Sequence, residues 1–181
     1  MSRPAWKRLC ESTVHAWHEN KWRMVRIMYS RLDLFNTVVT NIEPSIWWTV
    51  CKHNPTMINV CKRLVKLTSG ESSLNAHRGR YSNKTSVCTL CGLYELESAT
   101  HMLVECVALA EHRERLWTQT LQCIPPGMAS SMQAMGPGEK TQFILSGLAV
   151  KYIYEWQPIY EAIGCFVDTL YKARGGLITK P

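Results

Sequence analysis

Apolar residues recur along much of the chain at intervals of three and four positions, the spacing that builds one face of an α-helix. In residues 12–32, basic residues stand between the members of this pattern, which are Val14, Trp17, Met24, Val25, Ile27 and Met28. A short apolar helix is predicted from Ser45. Asn54 and Pro55 are a typical helix start, and the helix that follows should continue to Gly70.

The helical spacing of apolar residues stops at Gly70. Residues 70–87 are polar, basic and rich in Gly, Ser and Asn, so a loop or short turns are expected there. Ser98 is a candidate N-cap for a helix that runs through His101 toward Cys106. A further helix is predicted over residues 107–122.

The C-terminal third should hold two helices after a linker. Residues 125–138 contain Pro, Gly, Ser and Met, a composition typical of a connection. A short helix is predicted over residues 142–148, and a final helix should begin at Pro158 and stop at Gly175 and Gly176.

The fold class expected from these elements is mostly α, with irregular loops and little or no sheet, because strand patterns are weak throughout. Four segments follow: a basic helical region over 1–70, a basic loop with a cysteine-rich module and its following helix over 71–124, a linker over 125–138, and a C-terminal helix pair over 139–181. A chain of 181 residues is long enough to bury a hydrophobic core.

The chain has none of the long apolar runs that secretion or membrane insertion requires. No run approaches the roughly 18–20 residues that cross a bilayer, and the start of the chain has no apolar segment typical of a secretory signal. An intracellular protein is therefore expected, nuclear or cytoplasmic and not secreted, with neither a membrane nor a small-molecule substrate as partner.

The formal charge of +7 is concentrated in one half of the chain. Residues 1–84 hold fourteen Lys/Arg against five Asp/Glu, whereas residues 85–181 hold seven against nine. This asymmetry is consistent with a face that meets a polyanion, and equally with a solvated basic surface.

Three of the eight cysteines cluster with a histidine in the pattern Cys88-x2-Cys91-x9-His101-x4-Cys106. Two cysteines separated by two residues form half of a tetrahedral zinc site, and Gly92 suits the left-handed backbone of such a turn. The prediction is one structural Zn²⁺ in a zinc-knuckle-like CCHC turn. Four protein ligands leave no open position for hydrolysis. The alternative is a set of buried apolar thiols with a hydrogen-bonded core histidine.

The region around this motif resembles the C-terminal zinc-binding region of non-LTR (LINE-type) retrotransposon reverse transcriptases. The resemblance is specific over residues 74–117, loose over 137–174 and only suggestive over 17–70. The residues that carry it are Cys88, Cys91, Gly92, Glu97, His101, Leu103, Cys106, Arg113 and Arg115. It implies that the chain grips template RNA or target DNA and that the polymerase part of a retrotransposon protein is a possible partner.

The carboxylates that polymerase or nuclease chemistry needs are scarce. Two-metal catalysis requires clustered oxygen ligands, but the only aspartates are Asp33 and Asp168, and they are far apart in sequence. The expectation is therefore a non-enzymatic fragment or derivative of a reverse transcriptase. Glu95, Glu97 and Glu105 are expected to position helices or face solvent.

A basic stretch precedes the cysteines and is the candidate nucleic-acid-binding segment. Its residues are His77, Arg78, Arg80, Tyr81 and Lys84. Arg and Lys would contact phosphates, and Tyr81 or His77 would stack on an unpaired base, an arrangement that favours single strands. The alternative is a solvated loop. Arg113 and Arg115 are expected to pair with Glu111 and Glu114 within their helix.

The remaining aromatic and sulfur side chains are assigned to the core. This expectation covers Trp17, Trp22, Trp47, Trp48 and Trp117, and the single cysteines Cys10, Cys51, Cys61, Cys123 and Cys165. A second metal site from Cys51, His53 and Cys61 would lack a fourth ligand. The alternative function is a protein-interaction module in which zinc is purely structural and the C-terminal helices dock on a partner. An exposed apolar face on the final helix would support it.

Overall fold

The computed structural model describes residues 2–28, 33–38, 45–82, 85–146 and 156–178. Almost all regular structure in these ranges is helical, which confirms the mostly-α class. The α-helices are α1 (Arg3–Met28), α2 (Asp33–Val38), α3 (Ile46–His53), α4 (Ile58–Ser69), α5 (Asn75–Arg78), α6 (Ala110–Gln122), α7 (Pro126–Ala134), α8 (Pro137–Ser146) and α9 (Trp156–Ile178). A π-helix covers His101–Glu105, and 3-10 turns cover Pro55–Met57 and Val107–Leu109.

Helix α9 is the centre of the core and packs against α3, α4 and α6. Its buried face follows the helical period and consists of Ile159, Tyr160, Ile163, Phe166, Val167 and Leu170. Trp47 of α3 lies edge-on to Tyr160, with ring centroids 5.5 Å apart. Its indole N–H donates to the carbonyl of Leu145 at 2.7 Å, so the one polar atom of this buried ring is satisfied.

Gly164 allows α9 to approach its neighbours closely. A Cβ at this position would lie 2.8 Å from Met57 Cε and 3.1 Å from Val60 Cγ1. The missing side chain therefore sets the distance between α9 and α4.

The helix start predicted at Asn54 and Pro55 opens the 3-10 turn Pro55–Met57, which leads directly into α4 at Ile58, and the predicted end at Gly70 is confirmed. The Asn54 side chain accepts a hydrogen bond from the backbone N–H of Thr56, and Pro55 occupies the first turn. Gly70 ends the helix with φ +75°, and its N–H donates to the Lys66 carbonyl. Because this φ is left-handed, glycine is the residue that fits there without strain.

The segment predicted as a linker contains a helix, and the predicted stop of the last helix is wrong. Residues 126–134 form α7, because Pro126 suits a first helical turn and Met132 becomes fully buried. Helix α9 continues through Gly175 and Gly176 to Ile178, and neither glycine has a left-handed backbone. Residues 147 and 148 of the predicted 142–148 helix lie outside the described residues, whereas 142–146 belong to α8.

Several side chains predicted as core residues are exposed. Trp17 is 57% exposed and Trp48 is 71% exposed, because the helical faces that carry them point away from the core. Trp47 is buried as expected, and Trp22 and Trp117 are half-buried. Among the single cysteines, Cys61 is buried and Cys10 and Cys51 are half-buried, whereas Cys123 and Cys165 are exposed.

Within the described ranges, none of the helices combines the length and apolar character needed to cross a membrane.

Candidate metal centre

The first two cysteines lie on a hairpin-like turn. An antiparallel bridge pairs Val87 with Leu96, and the Cys88 N–H donates to the Glu95 carbonyl at 2.7 Å. Gly92 has φ +67°, as expected for the residue that follows the second cysteine. The turn holds the two sulfurs on one side without a regular sheet.

The other two ligands come from a helical segment that starts at Ser98. The Ser98 hydroxyl accepts a hydrogen bond from the His101 N–H at 3.0 Å, which confirms the predicted cap. The segment then winds as a π-helix, and the Cys106 N–H donates to the His101 carbonyl at 2.7 Å. Such wider turns are common at functional sites. Here the π-helix carries His101 in its first position and is followed directly by Cys106.

The structure brings the four predicted ligands together. Their ligand atoms all lie within 4.8 Å of one another, close enough to hold a metal ion. Cys88 Sγ lies 3.8 Å from Cys106 Sγ, and Cys91 Sγ lies 3.6 Å from His101 Nε2. Sulfurs at 3.8 Å are not joined as a disulfide, in which the bond is about 2.05 Å, and all three cysteines are free thiols.

The electrostatics of this cluster suit a cation. Burial, with smaller contributions from the nearby Cys88 and Cys91, raises the pKa of the Cys106 thiol from 9.0 to about 12. A bound metal ion would lower this pKa instead, because a thiol that coordinates a metal is deprotonated. His101 is buried, and its Nδ1 lies 3.0 Å from the Glu95 carboxylate, although out of line for a regular hydrogen bond. A carboxylate at this position orients a ligand histidine.

Arg113 supports the last ligand from helix α6. Its Nη2 donates to the Cys106 carbonyl at 3.0 Å, and burial lowers the pKa of the guanidinium. Among the described residues, neither Arg113 nor Arg115 forms the predicted ion pair with Glu111 or Glu114. Arg113 therefore stabilises the C-terminal end of the π-helix.

A buried ion pair joins residues 87–97, the candidate metal-binding hairpin, to α9. Glu97 is 1% exposed and Arg174 is 5% exposed. Arg174 Nε and Nη2 each donate to one carboxylate oxygen of Glu97 at 2.7 Å. The Asn75 N–H also donates to Glu97 at 2.7 Å. Glu97 thus positions helices, as one of the two sequence interpretations held, whereas the partner Arg174 was not found from sequence.

The predicted nucleic-acid residues do not form a single exposed set. Arg78, Arg80 and Tyr81 are exposed, and Tyr81 is 71% exposed. Lys84 lies outside the described residues. His77 is only 5% exposed, so its predicted role in stacking on a base is wrong.

The His77 ring belongs to the interior of this segment instead. Its Nδ1 lies 2.7 Å from the Ser72 hydroxyl and accepts from the Ser72 N–H at 3.3 Å. Burial, with a smaller contribution from nearby Arg80, lowers the pKa of His77 from 6.5 to about 4. The folded protein therefore holds this imidazole neutral at physiological pH.

This shift predicts a loss of stability in mild acid. The unfolded chain takes up a proton on His77 near pH 6.5 and the folded chain only near pH 4. The contribution is therefore complete above pH 6.5 and is lost as pH falls toward 4, with a limit of about 3 kcal/mol. The free energy of unfolding, measured with denaturant across this pH range, should fall more steeply for the wild type than for His77→Gln. The glutamine keeps an acceptor for Ser72 and does not titrate.

Protonation of the metal ligands affects both proteins in this comparison, so the difference between the two slopes isolates His77. Equal slopes would contradict the assigned burial of a neutral ring.

The second metal site considered from sequence is not formed in the described part of the chain. Cys51 and Cys61 are neighbours, and burial raises the pKa of Cys61 to about 12 with Cys51 as a further cause. His53 does not join them in a cluster of metal-binding groups.

Comparison with models of protein families, with curated proteins and with solved structures found no match to this chain.

Proposed function

We propose that this chain is a non-catalytic module that binds single-stranded nucleic acid and is stabilised by one zinc ion. The observation that carries the proposal is the attachment of the exposed basic segment to the metal-binding hairpin. The Asn75 side chain donates to the Val87 carbonyl at 2.8 Å, and the Asn75 N–H donates to Glu97 at 2.7 Å. A metal ion that orders the hairpin would therefore also order the start of the segment that holds Arg78 and Tyr81.

The spacing of the ligand atoms supports zinc as the metal. With Zn–S bonds of about 2.3 Å and Zn–N bonds of about 2.0–2.1 Å, a tetrahedron has S···S edges of about 3.8 Å and S···N edges of about 3.6 Å. The Cys88–Cys106 and Cys91–His101 separations are 3.8 Å and 3.6 Å. Three thiolates and one imidazole are also a typical structural zinc set with no position left for a reacting water.

The binding of nucleic acid is supported by charge and by exposed groups. Residues 1–84 carry nine more basic than acidic residues. Arg78, Arg80 and Tyr81 are exposed and follow Asn75, whose side chain is hydrogen-bonded to Val87 of the metal-binding hairpin. Guanidinium groups suit phosphates, and a tyrosine ring suits an unstacked base. The resemblance to reverse-transcriptase tails points to the same class of ligand, template RNA or target DNA.

An exposed apolar face on the last helix would have supported the alternative of a protein-interaction module. That face, from Ile159 to Leu170, is buried in the core of this chain. The nucleic-acid proposal is therefore preferred, since the periodic apolar face of α9 is occupied by the chain's own core in the described residues.

The test is the salt dependence of binding to a labelled, unstructured single-stranded RNA. A slope of log K against log salt steeper than about −2 is expected, which corresponds to about three contacted phosphates on a single strand. Arg78→Glu should weaken binding at every salt concentration and make the slope shallower by about 1.

Lys172→Glu is the matched charge reversal, since Lys172 is exposed on α9 and pairs only with Asp168 among the described residues. It should leave the slope unchanged. Absence of binding by the wild-type protein at low salt would overturn the proposed function.

A further inference from the structure

Helix α1 carries an exposed stripe in which tryptophans and cations share one side. The helical repeat places Arg3, Trp6, Trp17, Lys21, Met24 and Met28 within about 60° of one another around the axis. The apolar members of this stripe are 57–80% exposed. Trp22 points to another side of the helix and lies edge-on to Phe35 of α2, with centroids 5.5 Å apart.

The stripe is basic as well as aromatic. Helix α1 contains six Lys/Arg and two Glu, a formal charge of +4. The Lys21 ammonium lies 5.0 Å from the centroid of the Trp17 ring. Arg3 is one turn from Trp6 on the same side, so each exposed tryptophan of the stripe has a cation beside it.

We propose that this α1 stripe is a further surface on which single-stranded nucleic acid lies, with Trp6 and Trp17 stacking on bases and Arg3 and Lys21 contacting phosphates. The proposal rests on the proposed function and adds a base-stacking surface to the exposed segment that holds Arg78 and Tyr81. Single strands are held by alternating aromatic platforms and cations, and Trp6 and Trp17 are about 16 Å apart along the helix.

Other occupants fit the stripe less well. A second copy of the helix would set a charge of +4 against +4. A bilayer surface favours an uninterrupted apolar face with its cations on the polar side, whereas Lys21 lies within the stripe between Trp17 and Met24. A phosphodiester chain is anionic and presents flat apolar bases, so it matches both components.

The experiment measures RNA affinity and salt slope for the full-length, zinc-loaded protein and for Trp6→Ala/Trp17→Ala. Each tryptophan should account for about a tenfold to a hundredfold loss in affinity, with no change of slope because no charge is removed. Helicity should be retained, since both rings are exposed and alanine favours helix. Trp17→Tyr should recover part of the loss.

Trp48→Ala is the matched control, since Trp48 is 71% exposed but lies on α3. Its affinity should equal that of the wild type. Wild-type affinity in Trp6→Ala/Trp17→Ala would overturn the α1 proposal and leave the proposed function standing, whereas no RNA binding by the wild type would overturn both. Binding to phosphatidylserine vesicles that needs both tryptophans, with RNA affinity unchanged in the double variant, would assign the stripe to a membrane surface instead.

Discussion

Cys106→Ser is expected to lose the bound metal and to cost most of the stability of the fold. Binding of structural zinc contributes a free energy on the order of 10 kcal/mol at neutral pH. The total free energy of unfolding of a typical domain is about 5–15 kcal/mol, so the two are comparable. Cys88 and Cys106 are part of the same hydrophobic core as the buried side chains of the helices. Loss of the ion should therefore affect the whole domain, with a fall in Tm of at least about 10 °C.

Cys61→Ser is the matched control for this change. Cys61 is 4% exposed and Cys106 is 1% exposed, so both substitutions place a hydroxyl in the interior. The control should cost only about 1–3 kcal/mol and should keep one metal ion per chain. Metal content is measured by elemental analysis, and Tm is followed by circular dichroism.

Two further measurements keep this prediction testable if Cys106→Ser does not fold. A strong chelator added to the wild-type protein should lower its Tm, and X-ray absorption at the metal edge should give three sulfur neighbours and one nitrogen. Equal losses in Cys106→Ser and Cys61→Ser, with no metal in the wild type, would mean that the cluster is a set of ordinary buried thiols.

Arg174→Met is expected to destabilise the protein by about 3–5 kcal/mol. The substitution leaves the Glu97 carboxylate buried without its cation, and removal of one partner from a buried ion pair has a cost of this size. Arg174 also donates to the Ser73 carbonyl at 3.4 Å, so the link between α9 and the start of α5 weakens as well. The effect is measured by urea unfolding of the metal-loaded protein.

Lys172→Met provides the comparison on the same helix. Lys172 is 69% exposed and its ammonium lies 2.6 Å from the Asp168 carboxylate. Because the lysine is exposed and Asp168 keeps its ion pair with Arg63, loss of the ammonium should cost only about 0–1 kcal/mol. A double-mutant cycle of Arg174→Met and Glu97→Gln should give a coupling free energy of at least about 1 kcal/mol. Equal effects of Arg174→Met and Lys172→Met would contradict the buried pair.

The metal cluster could be predicted because its information is local. Cys88 and Cys91 lie on one turn, and His101 and Cys106 follow within a short helical segment, so spacing alone limits which atoms can meet. The caps at Ser98 and Gly70 are local for the same reason: each involves backbone groups only a few residues away.

The partners of side chains distant in sequence could not be predicted. Glu97 and Arg174 are 77 positions apart, and charge patterning treats both as surface residues. His77 stands in a polar, basic stretch typical of a loop, and only its packing in the folded chain made it buried and neutral. In such cases composition argues for exposure, and tertiary contacts override it.

Tertiary contacts also decided which amphipathic helix faces are buried and which are exposed. Periodicity identified α1 and α9 as helices, and for α9 its apolar face also became the core. For α1 the same kind of pattern left Trp6 and Trp17 on the surface, since a helical period determines which residues share a face but not whether another element covers it. The sequence by itself thus determined helices such as α4, α6 and α9 and the four residues that could hold a metal ion, because both depend on neighbours along the chain. Burial of Glu97, Arg174 and His77, and exposure of the α1 stripe, depend on contacts between distant segments and were decided only by the tertiary structure.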